Sequence, residues 1–261
     1  MTGKDLSHVE RWWILIGASY ALESVDWKHQ VKGTQMVVLA ADPRVPIRDM
    51  PSDTIRLGYL SVGETNRHES ERAEHDPSLL IEENPDWAGV ARVDLRDPRW
   101  QDRLLSQEVP RLLGMGFDGL MLDAIDVAPY LEQKDPARFA GSRQALRQWA
   151  AALRSRFPNA IVIANGTNAL PDVAPFVDGY VIEGVFATYD FSRRLYRATT
   201  DPERDWKLAQ IDAALAVAPR PVFTIEYADV GDLALAQWAE RASAQRGFRP
   251  YVGVKDLNGL P

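Results

Sequence analysis

Two segments of the sequence share a pattern that could supply a pair of catalytic acids. Asp118–Asp123 reads Asp-Gly-Leu-Met-Leu-Asp, and Asp178–Glu183 reads Asp-Gly-Tyr-Val-Ile-Glu. Each is a short apolar run that follows Asp-Gly and ends in an acid, and Asp123 and Glu183 lie sixty positions apart. If both runs are strands of one closed parallel barrel, the two acids lie on the same rim and face one cleft. Two carboxylates across a cleft are the minimum needed to hydrolyse a glycosidic bond.

Short apolar runs of this kind recur along the chain and alternate with amphipathic patterns. The strand candidates are Trp13–Ala18, Met36–Ala40, Ile55–Val62, Gly119–Leu122, Ala160–Ala164, Gly179–Ile182, Val222–Ile225 and Tyr251–Val254. Continuous rather than alternating hydrophobicity is typical of a parallel sheet that is buried on both faces. Eight rounds of strand and helix predict an α/β fold, a (β/α)8 TIM barrel, that forms a single domain over residues 1–261.

Four longer amphipathic patterns predict the main helices. They are Trp100–Leu113, Arg138–Phe157, Asp201–Ala218 and Asp232–Arg246. The first follows Asp97-Pro98, a good capping sequence, and its internal Pro110 predicts a bend or an early break. The charged stretch Glu64–Arg99 has no clear helical stripe and predicts a long loop over the top of the barrel after the third strand.

Acids follow most of the predicted strands, and the chemistry of such barrels lies at these strand ends. The predicted rim acids are Glu23, Asp42, Glu64, Asp123, Glu183, Glu226 and Asp256. An acidic rim is costly because like charges raise one another's pKa, and it is reasonable in a site that binds a cation or a metal or needs a protonated carboxyl. The alternative is that Arg44, Lys28 and Lys255 neutralise most of these acids structurally.

Asp126 is a second candidate acid at the end of the fourth strand. It lies three positions after Asp123, begins the following loop, and could exchange roles with Asp123. We favour Asp123 because it directly ends the strand and is therefore expected at the barrel axis. Tyr and Trp residues near the rim acids suit a saccharide, since sugar C–H faces pack on aromatic rings, although such residues are also common as lids of a core.

Composition excludes several classes of function. The chain has 261 residues, 46% of them hydrophobic, a formal net charge of −7 and no Cys. Thiol chemistry and disulfides are therefore excluded, and there is no basic stripe that would indicate a nucleic-acid partner. No apolar run approaches the roughly 18 residues of a membrane helix. The four His residues lack the spacing of a metal motif, and no Gly-rich phosphate loop or Gly-x-Ser-x-Gly elbow is present.

With these residues in place, the chain resembles glycoside hydrolase family 114, the endo-α-1,4-polygalactosaminidases, and the related hydrolase domain of the Pel exopolysaccharide machinery. The block Gly116–Asp123, in which Gly-Phe-Asp-Gly leads into an apolar strand and an Asp, is the most specific part of the resemblance. The matching stretches are Gly58–Glu64, Val93–Trp100, Gly116–Asp123, Ala164–Gly166, Gly179–Glu183 and Glu226-Tyr227.

The resemblance implies a (β/α)8 barrel, no metal or other cofactor, and hydrolysis of α-1,4-linked, galactosamine-rich polymer. It also implies an Asp after the fourth strand and a Glu after the sixth, which are Asp123 and Glu183 here. This agrees with the pair found from the residues alone. A partly deacetylated galactosamine polymer carries ammonium groups, and an acidic rim could bind them.

The sequence therefore supports the hypothesis of a retaining endo-glycosidase, with Asp123 as nucleophile and Glu183 as general acid and then base. The remaining candidates for substrate binding are Tyr59, Glu64, Asp126, Asn165, Tyr189, Glu226 and Tyr227. The acids among them would bind ammonium or hydroxyl groups, and Asn165 and Tyr59 would hydrogen-bond the sugar in the central subsite. The expected partner is a cationic hexosamine polysaccharide, and the expected location is secreted or periplasmic, although the sequence leaves the cytoplasm open.

Two other functions fit the same residues. One is a barrel that binds polysaccharide without cleaving it. The other is a metal-dependent barrel hydrolase in which Asp123, Asp126 and Glu183 are oxygen ligands. The sequence does not indicate an oligomeric state.

Overall fold

The apolar runs of the sequence form a parallel sheet that curls into a nearly closed barrel. The structure, a computed structural model, describes residues 5–17, 26–42, 44–66 and 77–258. Its strands are β1 (Trp12–Leu15), β2 (Met36–Leu39), β3 (Ile55–Ser61), β4 (Glu64–Asn66), β5 (Leu80–Glu83), β6 (Val90–Val93), β7 (Gly119–Asp123), β8 (Ile161–Asn165), β9 (Gly179–Glu183), β10 (Ala187–Asp190), β11 (Leu195–Ala198), β12 (Val222–Tyr227) and β13 (Arg249–Gly253). The eight-stranded sheet has the order β1-β2-β3-β7-β8-β9-β12-β13, with every pair parallel. The predicted (β/α)8 barrel is thus confirmed.

Side chains of these strands are buried on both faces of the sheet. Met121, Ile163 and Val181 belong to the cluster that fills the barrel, whereas Leu122 and Ile182 belong to the larger cluster beneath the helices. Successive residues of a strand point to opposite faces. Because both faces are covered, neither needs polar side chains, which explains the continuous apolar runs.

The barrel closes between its first and last strands through side-chain and loop contacts. The Trp12 indole Nε1 donates to the Arg249 carbonyl at 2.9 Å, and the ring meets Phe223 edge-on at 5.4 Å between centroids. At the other end of β1, the Ile16 amide donates to the Leu257 carbonyl at 3.0 Å.

Helices cover the outside of the sheet. They are α1 (Trp27–Gln30), α2 (Pro98–Arg103), α3 (Val109–Met115), α4 (Val127–Lys134), α5 (Pro136–Phe139), α6 (Ser142–Arg156), α7 (Leu170–Val173), α8 (Asp201–Val217) and α9 (Leu233–Gln245). Short 3₁₀ turns occur at Leu6–His8, Ile47–Asp49, Pro77–Leu79 and Ala174–Phe176. Among the described residues, no helix is long and apolar enough to cross a membrane.

Of the bend or early break expected at Pro110, the break does not occur. Leu104–Glu108 instead forms a π-helical turn between α2 and α3, in which the Val109 amide donates to the Leu104 carbonyl, five residues back. A wider turn leaves space before the proline ring and needs no hydrogen bond from its nitrogen. The helix therefore continues to Met115 and ends at Gly116, whose φ is 109°.

The stretch predicted as one long loop after the third strand contains a small sheet. β4, β6 and β5 pair in that order, antiparallel, within residues 64–93; positions 67–76 lie outside the described residues. Arg92 of β6 lies between two acids, with Glu82 at 2.8 Å and Glu64 at 3.7 Å. Among the described charges of this stretch, Glu64, Glu82 and Arg92 are therefore paired within the small sheet. A second excursion, the antiparallel hairpin β10–β11, follows β9.

The two Asp-Gly pairs anchor neighbouring barrel strands. Asp118 Oδ2 accepts hydrogen bonds from the Arg56 backbone amide and from Nε of the same residue, both at 2.9 Å. Asp178 Oδ2 accepts one from the Val162 amide at 2.8 Å and one from the Arg154 guanidinium at 2.7 Å. Each Asp thus satisfies a backbone donor at the start of the preceding barrel strand and fixes where its own strand begins.

The glycine after the first of these anchors is required by space, and this can be tested. A Cβ at Gly119 would lie 1.8 Å from the Ile161 carbonyl oxygen, a backbone atom that cannot move without breaking the sheet. We expect Gly119→Ala to lower the free energy of unfolding by more than about 3 kcal/mol. Chemical denaturation measures this directly.

Gly114 in α3 is the matched control. A Cβ there meets nothing within 4 Å. Gly114→Ala should change the free energy of unfolding by no more than about 1 kcal/mol, in the stabilising direction, because alanine has the higher helix propensity. Equal effects of the two substitutions would contradict the proposed close approach of β7 and β8.

Candidate active site

Asp123 and Glu183 meet at the carboxyl end of the barrel, as expected. Each is the last residue of its strand, β7 or β9, and lies two residues after Met121 or Val181, so it shares the inward face of the barrel with that residue. Ala124, which follows Asp123, has a φ of 55°. This left-handed conformation costs a residue with a Cβ about 1–2 kcal/mol and turns the chain sharply after the acid.

Asn165, at the end of the intervening strand β8, binds both acids. Its Nδ2 donates to Asp123 Oδ1 at 2.9 Å and to Glu183 Oε1 at 2.5 Å. Since one nitrogen contacts both oxygens, those oxygens are no more than 5.4 Å apart, the sum of the two distances. The strand order β7-β8-β9 therefore places one amide between two carboxylates.

A tyrosine hydroxyl binds the outer oxygen of each acid. Tyr59 of β3 donates to Asp123 Oδ2 at 2.6 Å, and Tyr227 of β12 donates to Glu183 Oε2. Burial raises the pKa of both phenols well above the ordinary value, and the neighbouring carboxylates add to this. Both hydroxyls therefore remain protonated donors at neutral pH.

The surroundings of Glu183 change its pKa. Burial raises the pKa of Glu183, and the charge on Asp123 raises it further; the hydrogen bonds from Tyr227 and Asn165 act in the opposite direction. A carboxyl whose pKa is raised beside a second, hydrogen-bonded carboxylate is the usual arrangement for a general acid next to a nucleophile.

Lys207 of α8 holds the backbone beneath Glu183. Its Nζ donates to the Glu183 carbonyl at 2.8 Å and to the Gly184 carbonyl at 2.7 Å. Gly184 has a φ of 60°, and a Cβ there would lie 2.8 Å from Thr188 Oγ1. Sequence reasoning missed Lys207; its only signal is a cation on the inward side of an amphipathic helix.

Glu226 lies outside the cleft, contrary to the position expected of a substrate-binding acid. It precedes Tyr227 on β12, so the two side chains point to opposite faces of the sheet. Glu226 is 0% exposed, and its Oε2 accepts hydrogen bonds from the Phe186 and Ala187 amides at 2.9 and 2.8 Å. Its Oε1 has no hydrogen-bond partner among the described residues. Burial raises the pKa of Glu226 to about 7.

The Asp126 carboxylate likewise makes its hydrogen bonds within the protein. Its Oδ2 accepts hydrogen bonds from the Thr167 amide at 2.7 Å and hydroxyl at 2.6 Å, and its Oδ1 accepts one from the Ala169 amide at 2.9 Å. These contacts hold the loop that follows Asn165. The geometry therefore gives Asp126 a structural role and favours Asp123 as the acid that faces the cleft.

Glu64 is the third acid near the carboxylate pair. Its Oε1 accepts a hydrogen bond from Asn84 Nδ2 at 2.8 Å, and Arg92 lies 3.7 Å away. Burial raises the pKa of Glu64, and the charge on Asp123 contributes to the increase. Glu64 is therefore held by Asn84 and paired with Arg92 on the β3 side of the site.

Two other predicted rim acids are neutralised by neighbours, as the structural alternative suggested. Asp42 pairs with Arg44 at 2.6 Å, and Asp256 pairs with Lys255. Glu23 lies outside the described residues. Within the described ranges, no three His, Cys, Asp or Glu side chains are grouped so as to hold a metal ion.

Tyr189 belongs to a separate aromatic group on the hairpin β10–β11. Its ring packs against Phe191 at 5.1 Å and Tyr196 at 5.0 Å between centroids. Sequence reasoning named Tyr189 alone, because the strands that bring the other rings together were not predicted.

A (β/α)8 barrel that brings two carboxylates together across one cleft on its rim has the arrangement that glycoside hydrolases use. The model of glycoside-hydrolase family GH114 matches residues 24–260, and the chain belongs to this family.

Several known proteins are similar to this chain in sequence or in fold. An uncharacterized protein of Deinococcus radiodurans is 31% identical over 229 residues, which cover 84% of this chain and 70% of the relative. The glycoside hydrolase domain of PelA from Pseudomonas aeruginosa has a similar fold, with a TM-score of 0.80, 21% identity and 97% of each chain covered. The structure of Aspergillus fumigatus Ega3 in complex with galactosamine has a TM-score of 0.68 and 17% identity, with 99% of this chain and 96% of that chain covered.

Glu226 gives the fold a pH dependence that can be measured. Its pKa is higher in the folded state, about 7, than the ordinary value of 4.5, so the folded state binds the extra proton between these values. Folding stability therefore falls as the pH rises from about 4.5 to 7, by at most about 3 kcal/mol. Glu226→Gln mimics the protonated acid and should be more stable than wild type at pH 8 but similar at pH 4.5.

Denaturant titrations at both pH values test this. Glu240→Gln is the matched control, because Glu240 is exposed on α9 and its removal should leave the pH dependence unchanged. A wild type and a Glu226→Gln variant that lose stability in parallel between the two pH values would contradict the buried, proton-binding state of Glu226.

Proposed function

We propose that this chain is an endo-acting, retaining glycoside hydrolase that cleaves α-1,4-linked, galactosamine-rich polysaccharide. The observation that carries the proposal is the Asn165 amide, whose contacts hold the facing oxygens of Asp123 and Glu183 within 5.4 Å. Retaining glycosidases have carboxyl groups about 5–5.5 Å apart, whereas inverting enzymes need about 6.5–9.5 Å to admit a water molecule.

Asp123 is the nucleophile in this mechanism. Its carboxylate accepts hydrogen bonds from Tyr59 and Asn165, which hold it in one orientation. It attacks the anomeric carbon while the proton of Glu183 moves to the leaving glycosidic oxygen. The bond between carbon and that oxygen breaks, and a glycosyl ester of Asp123 forms.

The same geometry lets Glu183 reverse its role. Once Asp123 is an ester, its negative charge is gone, and one cause of the raised pKa of Glu183 disappears. The Glu183 carboxylate then takes a proton from water, the water oxygen attacks the anomeric carbon, and the ester bond to Asp123 breaks. The product keeps its α configuration, and both acids return to their initial states.

The substrate class is supported by charge and by family. The Asp123 carboxylate supplies negative charge at the described centre of the cleft, which suits the ammonium groups of a deacetylated hexosamine polymer. A member of the same fold, Ega3, is known in complex with galactosamine. Internal cleavage follows from the family resemblance, and export of the enzyme, secreted or periplasmic, is part of the proposal because such a polymer lies outside the cell.

Hydrolysis of partly deacetylated α-1,4-galactosaminogalactan tests the proposal. Mass spectrometry should detect oligomers of several lengths from wild type, and the rate should fall at least about a thousandfold in Asp123→Asn and in Glu183→Gln. NMR of the first-formed reducing end should detect the α anomer. Asp42→Asn, which changes a rim acid that is paired with Arg44, is the control and should stay within about twofold of wild type.

Each other result has a definite meaning. A β anomer would replace retention with inversion. Binding of the polymer without any cleavage by wild type would leave a polysaccharide-binding barrel. Cleavage that is lost with chelator would favour a metal-dependent hydrolase.

The alkaline limb of the pH–rate profile tests the role of Glu183. As a general acid Glu183 must be protonated, so activity should fall as the pH rises through its pKa. The Tyr227 hydroxyl stabilises the ionised form and lowers that pKa. Tyr227→Phe should therefore move the alkaline limb of kcat/KM to higher pH. Tyr59→Phe is the matched control, because its hydroxyl binds Asp123; a shift of the alkaline limb in Tyr59→Phe alone would assign the general acid to Asp123.

A further inference from the structure

A cluster of aromatic rings lies over the mouth of the barrel beside the acidic centre. We define this aromatic cluster as Trp87, Tyr189, Phe191 and Tyr196. Trp87 meets Phe191 edge-on at 5.7 Å between centroids, and Tyr189 meets Phe191 and Tyr196 at 5.1 and 5.0 Å.

The cluster joins excursions from different sides of the mouth. Trp87 belongs to the turn between β5 and β6, in the small sheet that follows β3, while the other three rings belong to the hairpin that follows β9. β3 and β9 are separated in the barrel by β7 and β8, the strands that carry Asp123 and Asn165. The contact between Trp87 and Phe191 therefore bridges the rim near the catalytic pair.

The cluster is continuous with the interior of the site. Tyr189 and Tyr196 pack against the apolar group that fills the barrel, which includes Tyr227, the partner of Glu183. Trp87 and Phe191 are each 39% exposed. Large exposed rings at the mouth of a cleft mark a surface for a ligand, and flat aromatic faces suit the C–H faces of a pyranose.

Lys255 determines whether a charged or an uncharged sugar can bind to the aromatic cluster. Its Nζ lies 5.4 Å from the Trp87 centroid and 5.5 Å from the Tyr189 centroid, and it pairs with Asp256. The Lys255 amide also donates to the Tyr196 hydroxyl at 3.2 Å. One face of Trp87 and one face of Tyr189 already hold an ammonium group of the protein. A substrate amine would therefore gain no cation–π attraction at that position, and Asp256 is already paired with Lys255.

We propose that the aromatic cluster is a subsite for an uncharged pyranose of the polymer, an N-acetylhexosamine or a neutral hexose, next to an acidic centre that accepts the amino sugar. The inference rests on the proposed function and deepens it. The enzyme would then distinguish polymers by their acetylation pattern, because charged and uncharged sugar units of the polymer would occupy different parts of one cleft.

Binding to an inactive variant tests the subsite apart from cleavage. In the Glu183→Gln background, calorimetric titration would compare three probes: α-1,4-linked oligomers of N-acetylgalactosamine, the same oligomers after full deacetylation, and α-1,4-linked oligomers of galactose. Adding Trp87→Ala should weaken binding of the N-acetylated oligomer about five- to tenfold. Trp206→Ala is the matched control, because Trp206 is 48% exposed on the outer helix α8, and it should have no effect.

A charge variant tests the discrimination. Lys255→Met removes the ammonium group but keeps an apolar stem, and it leaves Asp256 without this partner. The deacetylated oligomer should then bind about two- to fivefold more tightly, while binding of the N-acetylated oligomer stays unchanged. Equal affinity for the N-acetylated and galactose oligomers assigns recognition to the ring face; preference for the former assigns it to the acetamide group.

The failure of this inference is distinct from failure of the proposed function. Unchanged binding of all three probes in both Trp87→Ala and Phe191→Ala, with folding confirmed by circular dichroism, would overturn the subsite even if wild type cleaves the polymer. Loss of N-acetylated binding in these variants would support the subsite even if wild type cleaves nothing.

Discussion

One amide group organises the site. Asn165 Nδ2 donates to carboxylates from the strands on either side, so two acids that would repel each other are held close by a shared donor. The arrangement needs three adjacent parallel strands that end at the same level, which is what a barrel supplies. Tyrosines from β3 and β12 complete the set and bind the outer oxygens. The acids have little freedom to move, and preorganisation of this kind is how enzymes stabilise developing charge.

Behind the cleft, a second set of polar groups supports the first from the outer face of the sheet. Lys207 binds the carbonyls of Glu183 and Gly184, and Glu226 binds the amides of Phe186 and Ala187. Both are charged groups taken from water, and burial moves their pKa values toward the neutral forms, downward for Lys207 and upward for Glu226. Burial of Lys207 and Glu226 therefore lowers the free energy of unfolding, and in return their hydrogen bonds hold the segment that follows β9.

The sequence predicts the barrel well because both faces of its strands are apolar and the helices carry caps. It also predicts that Asp123 and Glu183 meet, since both end strands of the same kind. Position at a strand end does not reveal the side of the sheet, and for that reason Glu226 and Tyr227 could not be separated by inspection. Asp126 was ambiguous because only the folded loop supplies the donors that bind it. The small sheet was not predicted because its strands are short and its charges pair with residues distant in sequence. Trp87, which lies in a turn of this sheet, was missed for the same reason.

The Asp-Gly anchors have a consequence for how these strands can change. Asp118 and Asp123 are five residues apart, as are Asp178 and Glu183. Because side chains alternate along a strand, an odd separation puts the anchor and the acid on opposite faces. Inserting or deleting one residue between them would turn the acid outward and an apolar side chain into the cleft. The two strands are thus subject to a parity rule, whereas a change of length beyond the acids alters the loops and leaves the pair of carboxylates facing each other.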